Sequence, residues 1–149
     1  EKTISVNMNA PIALTHALLP SIIETHGIVI NIASSAGYNP LPGMATYAAS
    51  KAFMLNWSSA LWYELKNKCL VITCAPSGTN TNFQKSAGVR DTTTLLTPYY
   101  VSSKIFDAIK KGTPFLFLGK KNHIFVYLTR LLPLRLNVIL WGKLFKRLR

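Results

Sequence analysis

Apolar side chains recur at helical spacing through the first two dozen residues: Ile4, Met8, Ile12, Leu18, Leu19 and Ile22. This pattern predicts a helix over 2–24, with Gly27 as punctuation. Ile28-Val29-Ile30-Asn31-Ile32 then reads as a short buried strand, and Ser34 to Gly43 as a loop rich in Ser, Gly and Pro. Thr46 to Leu65 contains neither Gly nor Pro and places apolar residues at 49, 52/53, 57, 60/61 and 65, which predicts a long helix. Leu70 to Cys74 reads as a second buried strand and 76–97 as a long polar loop. Pro98 to Lys111 has the start of a helix in its proline and the stop in Gly112, and Phe115 to Leu118 is a third short strand. Buried strands separated by helices predict an α/β fold with a parallel sheet and helical crossovers. Ligands of such sheets sit beyond the carboxyl ends of the strands, so the loops after Ile32 and after Cys74 are where chemistry is expected.

Composition sharpens this picture in three ways. With 149 residues, 49% hydrophobic and 15% charged, the chain is about one ordinary domain and not a disordered or coiled-coil sequence. Cys69 and Cys74 lie in a strand-like run. Extended chain would hold them about 17 Å apart, too far for a bridge, so two buried thiols are expected. The charge of +12 is uneven: residues 1–100 carry six basic and four acidic residues, whereas 101–149 carry eleven basic residues against Asp107 alone. A charge confined to the most apolar part of the chain fits a membrane surface or anionic ligand better than nucleic acid, for which no motif is present. His16, His26 and His123 are scattered without metal-ligand spacing, so no metal site is expected.

Ser34 follows the first strand, Tyr47 comes thirteen residues later at the start of the long helix, and Lys51 lies four beyond Tyr47 on the same helix face. A phenol with a pKa near ~10 is a poor base at neutral pH, and a neighbouring ammonium favours phenolate. Tyr and Lys so placed beside a hydroxyl at a strand end make a proton-transfer site for a carbonyl or alcohol. Alone, a Tyr-x-x-x-Lys would read as two residues flanking an amphipathic helix. Ser35 competes with Ser34, but the spacing to Tyr47 favours Ser34. Upstream, Pro11 stands four residues after Asn7; lacking an N–H, it leaves the Asn7 carbonyl without its helical donor. A bound water, or a simple kink that fits the helix to the sheet, would answer that equally well.

Asn31-Ile-Ala-Ser34-Ser-Ala-Gly37 followed by Tyr47-Ala-Ala-Ser-Lys51 closely resembles the short-chain dehydrogenase/reductase family. Val6-Asn7 upstream and Pro76-Ser77-Gly78-Thr79-Asn80-Thr81 downstream resemble that family's fourth catalytic position and its Pro-Gly-x-x-x-Thr loop, with Ser77 where the family has Gly. The resemblance implies a Rossmann-like, doubly wound parallel sheet, here its second half. It implies an NAD(P)-dependent oxidoreductase moving hydride between nicotinamide and a carbonyl or alcohol. Tyr47 would be the acid/base and Lys51 its pKa-lowering, ribose-bonding partner. Ser34 would polarise the substrate oxygen, and Asn7 would anchor a water linking Lys51 to solvent. Tyr47, Lys51, Pro76, Ser77, Thr79 and Thr81 would hold the cofactor. A homo-oligomer is implied for the complete enzyme.

None of the glycines at 27, 37, 43, 78, 88, 112, 119 and 142 forms a Gly-x-x-x-Gly-x-Gly cluster. A fragment inactive on its own is therefore expected, with an exposed sheet edge and a bare apolar face. The choice between NAD and NADP, normally set in the Gly-rich half, stays open. Phe83, Val89, Leu95, Leu96, Tyr99 and Tyr100 favour a lipophilic substrate. Residues 1–119 are expected to form the catalytic half and 120–149 a basic amphipathic helical tail. In the tail, Leu134, Val138, Trp141, Phe145 and Leu148 share a face. That face would lie on an anionic membrane through 122–149, or pack on the body or a second subunit; the first reading is favoured. The expected location is cytoplasmic with peripheral membrane contact. The competing function is a non-catalytic remnant acting as a membrane-associated or subunit-binding module.

Overall fold

The computed structural model of the chain describes residues 1–83 and 95–148; Val89 of the predicted substrate loop lies outside them. Three parallel strands, β1 (Ile28–Ile32), β2 (Leu70–Pro76) and β3 (Phe115–Leu118), lie side by side in chain order. Ile28 pairs with Leu70 and Ile32 with Cys74; Thr73 pairs with Phe115 and Pro76 with Leu118. The crossover from β1 to β2 is α2 (Ala45–Leu65), and that from β2 to β3 contains α3 (Pro98–Lys111). Ahead of them runs α1 (Ala10–Glu24); after β3 come α4 (Lys120–Arg130) and α5 (Leu134–Leu148). The predicted parallel α/β sheet is the observed one, and the second strand extends two residues past Cys74.

Local chemistry explains the helix limits. The Thr97 hydroxyl accepts from the Tyr100 N–H at 3.1 Å, and Pro98 needs no helical partner at this position. At the other end Gly112 adopts φ 62°, letting the Thr113 N–H reach back to the Ala108 carbonyl at 2.9 Å. Ahead of α1, the turn Ser5–Asn9 is π-helical, with the Ala10 N–H bonded to the Ser5 carbonyl five residues back. Pro11 cannot donate to Asn7, and the helix meets that defect by widening. This is a third solution beside the water and the kink.

β2 is the centre of the core, with Val71, Ile72 and Cys74 fully enclosed. Val29, Val71, Leu61 and Leu65 pack together on the α2 side, as do Ala33, Ala75, Met54 and Leu55 nearer the strand ends. A buried polar chain also joins the sheet to α2: Asn31 Nδ2 donates to Ser58 Oγ at 3.0 Å, and Ser58 Oγ lies 2.7 Å from Thr73 Oγ1. β1 departs from expectation. It is covered on one face only, with Val29 and Asn31 inward and Ile28, Ile30 and Ile32 exposed. Both cysteines are free and buried, and burial pushes the Cys74 thiol up to about 11.

Candidate active site

The site grows from the end of β1. Ala33 continues the ladder, its N–H bonded to the Cys74 carbonyl at 2.7 Å, and Ser34 then turns the chain into a short 3-10 helix, Ser35–Tyr38. The Ser34 hydroxyl oxygen accepts from the Ala36 N–H at 3.1 Å, which fixes its rotamer at the rim of the sheet. Gly37 seats this turn directly on α2: a Cβ there would stand 2.6 Å from the backbone C and O of Lys51. No side chain fits, so the turn bearing Ser34 is held against the turn bearing Lys51.

On α2, Tyr47 and Lys51 follow one another up a single face, the Lys51 ammonium 5.9 Å from the Tyr47 ring centre. The Ser34 hydroxyl is close enough to the Tyr47 phenol to favour its charged form, so the three residues named from sequence come together at the end of β1. Lys51 Nζ donates to the Ile32 carbonyl at 2.9 Å, tying the helix to the last residue of β1. Burial holds Lys51 below the usual lysine range. The Tyr47 balance is opposite to the sequence expectation. Burial raises its phenol above the ordinary value, and the Ser34 hydrogen bond opposes this without cancelling it. Desolvation disfavours phenolate, and the ammonium is turned toward the Ile32 carbonyl.

Asn7 reaches the site through a residue that sequence reasoning gave no role. Its Nδ2 donates to Ser50 Oγ at 3.0 Å, and Ser50 Oγ donates to the Tyr47 carbonyl at 2.7 Å. Ser50 is fully buried, and a small hydroxyl between the candidate residues Tyr47 and Lys51 was the available signal.

Pro76 ends β2 opposite Leu118. Ser77 is buried and donates its N–H to the Leu118 carbonyl at 2.9 Å. Among the described residues, His26 is the non-glycine residue with positive φ, so Ser77 sits in backbone open to any residue and its replacement of Gly brings no strain there. Thr79 pairs with Leu96 in an isolated parallel bridge, and its hydroxyl donates to the Ser77 carbonyl at 3.0 Å. The Thr81 hydroxyl donates to the Thr79 carbonyl at 3.4 Å. The loop then brings Phe83 onto Tyr47, ring centres 4.8 Å apart and planes at 31°. Both sequence-predicted loops thus meet at the same end of the sheet. Among the described residues no group of three His, Cys, Asp or Glu could hold a metal ion. An apolar cleft of about 520 Å³ lies beside this centre, between the loop 37–42, the Ala45–Ala52 stretch of α2 and Val138; Ser34, Tyr47 and Lys51 do not line it.

Comparison with known proteins agrees with this geometry. The family profile described as short chain dehydrogenase matches residues 1–91. The very-long-chain 3-oxoacyl-CoA reductase of Coprinopsis cinerea is 39% identical over 70 residues, 46% of this chain and 21% of that protein. The 17-beta-hydroxysteroid dehydrogenase 13 of Homo sapiens is 32% identical over 148 residues, 93% of this chain and 48% of that protein. Among solved structures, a short-chain dehydrogenase from Sphingobium yanoikuyae in complex with NADPH superposes with a TM-score of 0.70 at 25% identity, covering 76% of this chain and 46% of that one. The chain spans about half the length, or less, of these relatives.

Proposed function

The chain belongs to the short-chain dehydrogenase family, and from that premise we propose that it is the catalytic half of an NAD(P)-dependent oxidoreductase acting on a carbonyl or alcohol. The observation that carries this is the convergence of Ser34, Tyr47 and Lys51 at the carboxyl end of β1. Residues 1–119 are the catalytic half in this reading and 120–149 the tail.

The donors present fit the nicotinamide end of the cofactor. Lys51 gives one of its three N–H groups to Ile32 and has others for a ribose. Pro76, Ser77, Thr79 and Thr81 stand at the end of the neighbouring strand, and the Sphingobium relative holds NADPH. When bound, the cofactor supplies or takes the hydride. The chain's own residues handle the proton and the geometry. Ser34, its oxygen already fixed by Ala36, donates toward the substrate oxygen and orients it. Tyr47, kept protonated by burial, delivers its hydroxyl proton to that oxygen in the reducing direction. Lys51, anchored on the Ile32 carbonyl, holds the ribose beside that centre, and Asn7 works from the widened turn braced by Ser50.

A lipophilic substrate is supported by the exposed aromatic side chains of Phe83, Tyr99 and Tyr100 around the loop, and by relatives named for acyl-CoA and hydroxysteroid substrates. No helix among the described residues is long and apolar enough to cross a membrane. The finer reading is an enzyme facing the cytoplasm, a homo-oligomer when complete, that meets an anionic membrane surface through 122–149. The test of catalysis is co-expression with a Gly-rich strand–turn–helix half from a relative, followed by the absorbance of the reduced nicotinamide. Carbonyl-dependent oxidation of that nicotinamide is expected, and Tyr47→Phe should lower it by at least ~100-fold. Turnover that survives Tyr47→Phe unchanged defeats the assignment.

A further inference from the structure

The membrane reading of 122–149 was built on one face of the last helix, and the structure uses that face elsewhere. Trp141 Nε1 donates to Thr129 Oγ1 at 3.3 Å, and its ring packs 5.7 Å from that of Phe125. Gly142 lies against Pro42, a Cβ there meeting the proline ring at 3.4 Å, and Val138 lines the cleft beside α2. Asn137 is buried, donating to Asn39 Oδ1 at 2.8 Å and to the Thr129 carbonyl at 2.7 Å. Val138 and Trp141 are thus committed to the body and cannot also lie in lipid, whereas Leu134, at the start of that face, stays exposed.

Apolar surface is left in the open at the corner between α4 and α5, where Pro133 breaks the helix. Leu131 and Leu134 are 81% and 73% exposed, and Leu128 and Leu136 are also exposed. Arg130 and Arg135 flank these leucines, and eight Lys and Arg with no Asp or Glu follow from Lys120 to the end. Protruding leucines inside a field of one positive sign match a surface that is negative outside and apolar within. A protein partner would have to supply both features in one patch; an anionic bilayer has them everywhere.

We propose that the α4–α5 corner is the membrane-contacting element of this chain, inserting Leu131 and Leu134 between the headgroups of an anionic bilayer while Arg135 binds its phosphates. The proposal rests on the peripheral-membrane reading of 122–149 and relocates the contact. It is independent of the catalytic reading.

The experiment is sedimentation of the full chain with sucrose-loaded vesicles of phosphatidylcholine alone or mixed with phosphatidylglycerol. Each is run at about 0.1 M and about 1 M salt, where the Debye length falls from ~10 Å to ~3 Å. Binding to the anionic vesicles that weakens at high salt is expected. Leu131→Ser with Leu134→Ser, both at exposed positions that carry no core, should weaken it about tenfold. Leu131→Trp should show a blue shift in emission on adding anionic vesicles that the parent, with its three tryptophans, does not. Tyr47→Phe should bind as the parent does. Binding untouched by the leucine pair overturns the corner while sparing the membrane reading. Absence of binding, or equal binding to neutral vesicles, overturns both. If the leucine pair instead turns a self-associating chain monomeric and leaves vesicle binding unchanged, the corner faces a second copy and the proposal is wrong.

Discussion

Tyr47 lies beneath Phe83, whose ring covers it at 4.8 Å, and burial is the larger influence on its phenol. Removing the cover should let water reach the hydroxyl. Phe83→Ala is expected to bring the Tyr47 titration down toward the free value near ~10, read from phenolate absorbance as the difference from a Tyr47→Phe background. The sign for stability follows from the raised value. Below ~10 the phenol is neutral in both folded and unfolded chains and Tyr47 costs the fold nothing; as pH climbs past that through the folded value, the unfolded chain loses its proton first and stability falls. The same retention of the proton keeps Tyr47 competent as an acid at neutral pH, so carbonyl reduction should persist across the neutral range and decline only in alkali. A Phe83→Ala titration identical to the parent would show that the ring does not desolvate Tyr47.

The elements around the site are locked by close backbone contacts. Gly37 permits the turn after β1 to rest on the backbone of Lys51, and this contact sets how far Ser34 stands from Tyr47. Gly37→Ala forces the turn off the helix. The expected loss is about 1–3 kcal/mol in thermal or denaturant melts, as for other overpacked sites, with a larger effect on activity than on cofactor affinity. Unaltered stability and turnover would mean that the turn floats free of α2. The π-helical turn at Ser5–Asn9 is the second such device, because a proline four residues past Asn7 excludes the ordinary helical bond and the widened turn carries the Asn7 side chain to Ser50. Ser50 in turn bonds the Tyr47 carbonyl, so α2 and the helix ahead of it are tied at the turn that carries the phenol.

Across the whole molecule a buried polar cluster ties the tail to the body. Asn39 donates to the Val126 carbonyl at 3.1 Å, and Asn137 bonds both Asn39 and Thr129. Asn137→Ala leaves the Asn39 Oδ1 and the Thr129 carbonyl without that donor, a cost of about 1–3 kcal/mol. In a domain of this size that should lower Tm by several degrees. Tail amides should also exchange faster if α5 undocks, and unchanged exchange would show that the apolar contacts of Trp141 and Gly142 suffice. At the opposite side of the sheet, β1 offers Ile28, Ile30 and Ile32 to solvent on one face and is an edge strand, the exposed apolar face and edge expected from the sequence.

Periodicity and punctuation placed the helix over 98–111, the strand over 115–118 and the parallel direction of the strands, because capping residues and buried runs are local signals. Ser34, Tyr47 and Lys51 were legible through the resemblance of their motifs to the short-chain family; the four-residue spacing by itself showed only that Tyr47 and Lys51 share a helix face. The Asn7–Ser50 bond, the Phe83–Tyr47 contact and the Asn39–Asn137 bond were not legible, because each joins residues between 36 and 98 positions apart and has no periodic trace. The sign of the Tyr47 shift also escaped: spacing reports that a lysine is near, but burial by the whole fold decides how strongly water is excluded. The same holds for the tail. Its amphipathic pattern and charge are written in the chain, whereas only packing against Pro42 and Thr129 decides which apolar side is used up and which leucines remain in the open.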